Sequence, residues 1–151
     1  MHAHRVNAYT AAPAAMKALQ AVEVYLHQSG LDRNLIDLVR MRASQINGCA
    51  YCLDMHSKAL RHDGETEQRI YLLNAWRESP LYSPRERAAL AWTEALTRIA
   101  DTHAPDADYD ELRKRFDDKE IADLTTLIGM INLWNRLAIS LRYEHPVEAA
   151  R

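Results

Sequence analysis

The sequence holds two cysteines, and both lie in one Cys-x-x-Cys motif, formed by Cys49 and Cys52. A histidine, His56, follows about one helical turn after the second cysteine. At about 100° per residue, a helix places all three side chains on one face. The spacing therefore predicts that two thiols and an imidazole converge without help from the tertiary fold.

This grouping suits reactions of a nucleophilic sulfur. Because the predicted helix begins at the motif, its unpaired backbone N–H groups and its dipole favour thiolate over thiol, and the imidazole can accept the thiol proton. A thiolate that attacks a peroxide becomes a sulfenic acid, which a second thiol within reach converts to a disulfide. The spacing leaves open which sulfur attacks: Cys49 lies nearer the helix N-terminus, whereas Cys52 lies one turn from His56.

Other interpretations of the motif compete with redox chemistry. The two cysteines are also compatible with ordinary core positions on an apolar helix, although chance rarely places both at this spacing with a histidine. Two thiolates and an imidazole also suit zinc, although a closed site needs a fourth ligand, drawn from His62, His103 or His145. Covalent haem attachment is excluded because it requires histidine directly after the second cysteine, where Leu53 stands. A thioredoxin-like fold is not expected, since it places the motif in a βαβ unit and the flanking segments here favour helix.

The segments that must position these residues predict an all-α fold. Only four glycines and five prolines occur, Ala, Leu, Arg and Glu dominate, and alternating Val/Ile/Thr strands are missing. The predicted helices run from Pro13 to Gly30, from Asp32 to Asn47, from about Cys49 to His62, from near Glu65 through Trp76, from Ser83 through Ile99, from Asp108 to Arg115, and from Asp117 to about Tyr143. The last is apolar around most of its circumference, which predicts a central helix or one packed against another subunit.

Size and charge limit the remaining classes of function. With 151 residues, 48% of them hydrophobic and 26% charged, the chain is expected to form a single domain over residues 1–151 with a sizeable core. Its net charge of −2, without basic runs, argues against nucleic-acid binding. The longest apolar stretch, of about 12 residues, is shorter than the ~20 that a membrane span requires. The N-terminus lacks a signal-peptide pattern, so a cytoplasmic location is expected.

Three segments resemble one known family in their order along the chain. They are Arg42-Ala-Ser-Gln-Ile-Asn-Gly-Cys-Ala-Tyr-Cys-Leu-Asp-Met-His56, Glu86-Arg-Ala-Ala-Leu-Ala-Trp-Thr-Glu94 and Asn132-Leu-Trp-Asn-Arg136. Together they make the chain similar, over most of its length, to the alkylhydroperoxidase D-like (AhpD-like) branch of the carboxymuconolactone decarboxylase superfamily. The resemblance implies a compact multi-helix domain that assembles into homo-oligomers, either trimers or hexamers.

The resemblance also implies roles for individual residues. Cys49 and Cys52 match the redox pair of the family, and His56 matches the histidine of a proton relay that runs from an acidic residue on the preceding helix to cysteine. Asp37 stands at the acidic position, which is usually the longer glutamate. By family precedent, Cys52 attacks and Cys49 resolves. Tyr51 is a second departure, because the best-studied peroxidases of the family carry histidine there.

The function that the resemblance implies is that of a thiol-dependent (alkyl hydro)peroxidase or disulfide oxidoreductase in antioxidant defence. It needs no cofactor or metal, and its partners are a hydroperoxide, a lipoyl- or thioredoxin-type dithiol and further copies of itself, with no nucleic acid or membrane. The decarboxylase activity that names the superfamily has no need of Cys-x-x-Cys. The alternative from another class is a non-catalytic helical oligomer whose cysteines bind metal or act as a redox sensor.

Overall fold

The computed structural model describes residues 3–150, and its regular elements over that range are all helical. Nine α-helices and one 3-10 turn follow one another: α1 (Ala8–Ala11), α2 (Pro13–His27), α3 (Arg33–Asn47), α4 (Ala50–His62), α5 (Glu67–Tyr71), the 3-10 turn Leu73–Ala75, α6 (Pro84–Thr97), α7 (Ile99–Thr102), α8 (Asp106–Arg113) and α9 (Asp118–Leu141). The prediction of an all-α fold is confirmed. None of the helices within residues 3–150 combines the length and the apolar composition that a membrane span requires.

Helix α3 lies at the centre of the fold. It packs against α4, α6 and α9, and every residue from Leu35 to Ser44 is buried. This buried stretch includes three charged side chains, those of Asp37, Arg40 and Arg42. Because a buried charge is costly unless it is paired, each of these side chains requires a partner from a neighbouring element.

The last helix, α9, is the second central element, in line with its largely apolar circumference. It contacts α2, α3, α4, α6 and α8. Leu124, Leu127 and Ile128 from its first half join the main hydrophobic core. Near its other end, Ala138 packs against the two cysteines. The helix therefore joins the core to the redox motif.

The strongest sequence signals for helix starts are confirmed. Ser83 and Glu86 form a reciprocal capping box at the start of α6, and Asp117 and Glu120 form another at the start of α9. The side chain of Asp32 caps α3. Such caps satisfy backbone N–H groups that have no partner within the helix, so they set the residue at which each long helix begins.

The single helix predicted from near Glu65 through Trp76 is wrong. The chain instead forms the short α5 and, directly after it, the 3-10 turn. The guanidinium of Arg87 on α6 donates hydrogen bonds to three backbone carbonyls that follow this turn, those of Trp76, Arg77 and Ser79. Because a distant side chain satisfies these carbonyls, the backbone can leave the helical path and fold back towards α6.

Two other boundaries differ from the sequence pattern. The helix expected to run through Ile99 breaks at Arg98, whose backbone angles of φ −106° and ψ 34° are not helical. Ile99 then begins the separate α7 and is 52% exposed. The first predicted helix ends at His27 rather than at Gly30, and the short α1, which no pattern indicated, precedes it.

Candidate active site

The redox motif begins at a sharp turn between α3 and α4. Gly48, at φ 71°, ends α3 in the left-handed conformation that favours glycine. The N–H groups of Gly48 and Cys49 both donate to the Ser44 carbonyl. Cys49 then caps α4, and its Sγ accepts from the backbone N–H of Cys52 at 3.3 Å. The turn therefore places Cys49 at the start of the helix, as the sequence predicted.

Cys49 and Cys52 are joined in a disulfide, with their Cα atoms 5.3 Å apart. Each residue is 1% exposed. The pair packs against Ala138 of α9, and the rings of Tyr51 and Tyr143 lie against this group. The two sulfurs are thus close enough to pair, and a reagent must reach them through the cavities beside them.

His56 and Asp37 meet beside the redox pair. His56 lies one turn after Cys52 on α4, and Asp37 lies on α3. The Nδ1 atom of His56 is 3.5 Å from Oδ1 of Asp37, and the two side chains are 11% and 7% exposed. The structure therefore brings the imidazole and the carboxylate within ion-pair distance, away from bulk water, even though aspartate is shorter than the usual glutamate.

Two charged residues that no sequence motif indicated join this cluster. Arg40, one turn after Asp37 on α3, donates to the same Asp37 oxygen at 3.3 Å and also to Glu23 of α2. The other oxygen of Glu23 accepts from the indole N–H of Trp134 at 2.7 Å. The helical spacing of Asp37 and Arg40 was a usable signal for their contact. Nothing in the sequence pattern relates Glu23 to α3.

These contacts determine the charge of Asp37. Burial raises the pKa of its carboxyl group, but the hydrogen bond with His56 and the positive charge of Arg40 outweigh burial, so the pKa lies below its ordinary value. Asp37 is therefore an anion at neutral pH. An anion in this position can orient the imidazole and stabilise it when it takes up a proton.

Two cavities flank the disulfide and give access to different sulfurs. The Cys52 cavity, of about 280 Å³, is lined by Cys52, His56 and Arg40 among others. The Cys49 cavity, of about 380 Å³ and more open, is lined by Cys49, the last turn of α9 and the segment that follows it. Tyr143 lines both. The imidazole and the charged cluster are thus on the Cys52 side of the pair.

A cluster of amides holds the turn before Cys49. The side chain of Asn135 is fully buried, donates to Ser44 Oγ at 3.0 Å and accepts from Asn47 Nδ2 at 2.9 Å. Asn47 also donates to Asn132 at 2.9 Å. Asn132 and Asn135 belong to the third of the segments that resemble the family, and here they attach α9 to the end of α3.

The described part of the chain contains no set of side chains that could serve as zinc ligands. Between residues 3 and 150, no three His, Cys, Asp or Glu side chains are grouped so that they could hold a metal ion. His62, His103 and His145, which were considered as further ligands, therefore form no such group with the two cysteines. The cysteines are instead paired with each other.

The chain is similar to a described family and to an individual bacterial protein. The carboxymuconolactone decarboxylase family matches residues 10–95. YdfG of Bacillus subtilis, an uncharacterized protein, is 44% identical over 137 residues, which cover 91% of this chain and 93% of YdfG. The similarity to YdfG therefore extends over almost the whole of both chains.

Two solved structures share the fold. ATU0492 of Agrobacterium tumefaciens, a protein of unknown function provisionally described as an AhpD antioxidant defence protein, superimposes with a TM-score of 0.93 and is 51% identical, covering 97% of this chain and 100% of its own. An uncharacterized peroxidase-related protein from Silicibacter sp. TM1040 has a TM-score of 0.79 at 29% identity, covering 91% of this chain and 73% of its own. The same arrangement of helices thus occurs in relatives of different lengths.

Proposed function

Because the chain belongs to the carboxymuconolactone decarboxylase family, in its AhpD-like branch, we propose that it is a thiol-dependent hydroperoxidase with Cys49 and Cys52 as its redox pair. One observation carries this proposal. Cys52, half of the Cys-x-x-Cys disulfide, lines the same cavity as His56, whose Nδ1 faces the Asp37 carboxylate. This arrangement supplies a nucleophile, a base and an orienting anion beside one another.

The surroundings of the two sulfurs favour Cys52 as the one that attacks. Cys49 is nearer the N-terminus of α4, where the helix dipole favours a thiolate. Among the described residues, however, His56 lines the Cys52 cavity and not the Cys49 cavity. A base beside the bound peroxide can take the proton of the attacking thiol. We expect this to accelerate the reaction more than the helix dipole, which acts on both sulfurs.

In the proposed first step, reduced Cys52 attacks the peroxide. His56 takes the proton of the Cys52 thiol, and Asp37 stabilises the resulting imidazolium. The thiolate bonds to the outer oxygen of the hydroperoxide, which carries the hydrogen, and the O–O bond breaks. The leaving alkoxide, which holds the inner oxygen, takes the proton from His56 and becomes an alcohol. Cys52 is oxidised to a sulfenic acid while the hydroperoxide is reduced by two electrons.

In the second step, Cys49 resolves the sulfenic acid. Its sulfur bonds to that of Cys52, water leaves, and the disulfide seen in the structure forms. An external dithiol of the lipoyl or thioredoxin type then attacks one sulfur through a mixed disulfide and leaves oxidised, which returns both cysteines to thiols. The Cys49 cavity is the larger and more open of the two, so it suits a dithiol carried on another molecule.

The proposed setting is antioxidant defence by an assembly of identical chains, a trimer or a hexamer. The provisional description of ATU0492 supports the setting. The assembly is supported by apolar side chains that remain about half-exposed, among them Val24, Tyr25 and Ile139. Covering these side chains with further copies of the chain would remove apolar surface from water.

Steady-state turnover tests this function. The assay follows loss of tert-butyl hydroperoxide with dihydrolipoamide as reductant. We expect turnover by the wild-type protein, none by Cys49→Ser or Cys52→Ser, and slower turnover by His56→Ala. His62→Ala is the matched control, because His62 lies exposed at the end of the same helix; it is expected to keep wild-type turnover.

Two outcomes would count against the proposal. Turnover by Cys52→Ser would assign the attack to another group. No peroxide loss with the wild-type protein would reject the peroxidase, and a Cys49–Cys52 disulfide that still forms and breaks reversibly would then direct attention to disulfide exchange or redox sensing.

A further inference from the structure

One buried hydroxyl beside the redox pair has no partner. Within residues 3–150, Oη of Tyr143 is the one buried side-chain oxygen or nitrogen that makes no hydrogen bond in the protein. Buried polar atoms are nearly always paired, because an unpaired one has lost its hydration without replacement. An unpaired hydroxyl next to a reactive disulfide is therefore a candidate for contact with substrate.

The Tyr143 ring is held in place from several sides. Beyond α9, Arg142 turns the chain at φ 58°, and the Tyr143 N–H donates to the Ala138 carbonyl at 2.9 Å. The ring stacks on His4 with centroids 5.2 Å apart, and it meets Tyr51 edge-on at 5.7 Å. A tyrosine side chain has few torsions, so these contacts restrict the position of its ring.

A hydrogen-bond donor in the Cys52 cavity would accelerate cleavage of the peroxide. When the O–O bond breaks, negative charge develops on the inner oxygen, and a positioned donor lowers the energy of that transition state. Tyr143 lines this cavity together with Cys52 and His56, and it packs against the cysteine pair. The Tyr143 side chain therefore borders both the redox pair and the cavity in which the charge develops.

Two of the other donors that line the Cys52 cavity, Arg40 and Trp134, already have carboxylate acceptors. The guanidinium of Arg40 donates to Asp37 and to Glu23. The indole N–H of Trp134 also donates to Glu23. A donor that is already held by a carboxylate gains less from a new acceptor than a free one does. The hydroxyl of Tyr143 has no such competitor.

We propose that Tyr143 is a catalytic residue whose hydroxyl donates a hydrogen bond to the hydroperoxide at Cys52, an inference that rests on the proposed peroxidase function. As the Cys52 thiolate bonds to the outer oxygen, the electrons of the O–O bond pass to the inner oxygen, which the Tyr143 hydroxyl contacts. The proton that completes the alcohol comes from His56, so the tyrosine keeps its own. One thiol and one hydroperoxide thus become one sulfenic acid and one alcohol.

Tyr143→Phe tests this inference because it removes only the hydroxyl. Reduced protein is mixed with tert-butyl hydroperoxide, and the second-order rate constant of disulfide formation is measured. We expect a fall of about 10- to 150-fold, the range that a hydrogen bond to a charged group supports, with no decrease in Tm, because the hydroxyl has no partner to lose. Tyr109→Phe is the matched control, because Tyr109 packs against Trp92 and lines neither cavity. Its rate is expected to stay within about twofold of wild type.

A second readout separates donation to peroxide from a general change in the thiols. An aromatic disulfide reagent oxidises the same pair without an O–O bond, so Tyr143→Phe is expected to react with it at the wild-type rate. Equal losses with both oxidants, or a lowered Tm, would assign the hydroxyl to structure and overturn the inference. Wild-type reaction of Tyr143→Phe with peroxide, or a loss seen only in Tyr51→Phe, would overturn it as well. A wild-type protein inert to peroxide would reject the inference and the proposed function together.

Discussion

Replacing Asp37 with asparagine keeps the size of the side chain and removes its charge. At the 3.5 Å that separates Asp37 Oδ1 from His56 Nδ1, two unit charges attract by about 5 kcal/mol at an effective dielectric constant of ~20. Arg40 binds the same oxygen and competes for its charge, so the expected effect is a fraction of that attraction, about 1.5–3 kcal/mol. Since about 1.36 kcal/mol corresponds to tenfold in rate, Asp37→Asn is expected to slow Cys52 oxidation about 10- to 150-fold.

The assay for this prediction is stopped-flow oxidation of the reduced protein by tert-butyl hydroperoxide at neutral pH. Asp123→Asn is the matched control, because Asp123 is also a buried carboxylate but binds Tyr25 and Lys119 and lines neither cavity. It is expected to lower stability without slowing the reaction. A rate for Asp37→Asn within about twofold of wild type, or an equal loss in Asp123→Asn, would refute the relay.

The remaining predictions concern the scaffold around the site. Glu94 accepts from Arg42, Trp76 and Arg77, each at 2.9 Å, so Glu94→Gln is expected to lower the free energy of unfolding in urea by about 2–4 kcal/mol; a loss under about 0.5 kcal/mol would contradict this. Burial raises the pKa of Glu94, but these donors outweigh burial and bring the pKa below the ordinary 4.5. The carboxylate therefore stabilises the fold fully above its unfolded-state pKa, and this contribution is lost as pH falls through the folded-state value. The stability difference between wild type and Glu94→Gln is thus expected to shrink on acidification below about pH 4.5, and a constant difference would exclude this linkage. Gly48→Ala forces a Cβ into the left-handed region at φ 71° and is expected to cost about 1 kcal/mol, seen as a lower Tm; an unchanged Tm would show that the turn tolerates a side chain.

The sequence predicted which side chains come together where their proximity depends on spacing along one helix. Cys49, Cys52 and His56 lie on about two turns of α4, so helical geometry alone brings them to one face. The start of α4 could also be predicted from the sequence, because Gly48 ends the preceding helix. Asp37 lies on another helix. It was identified as a candidate site residue from the resemblance to the family rather than from its spacing to the cysteines.

Contacts between distant segments could not be predicted in the same way. Glu23 reaches Arg40 from α2, and Trp134 reaches Glu23 from α9, so this network exists only once three helices have packed. The Tyr143 ring lies beyond the end of α9, where no periodic pattern defines a position. The break after α5 likewise depends on a side chain far along the chain, that of Arg87.

The central claim is that Cys52 is the sulfur that attacks the peroxide. It is tested most directly by treating reduced Cys49→Ser and Cys52→Ser with one equivalent of tert-butyl hydroperoxide in the presence of dimedone, which traps sulfenic acids, and locating the adduct by peptide mass spectrometry. Cys49→Ser lacks the resolving thiol and is predicted to accumulate the adduct on Cys52, while Cys52→Ser forms little on Cys49. An adduct that forms as fast on Cys49, or none on Cys52, would contradict the account.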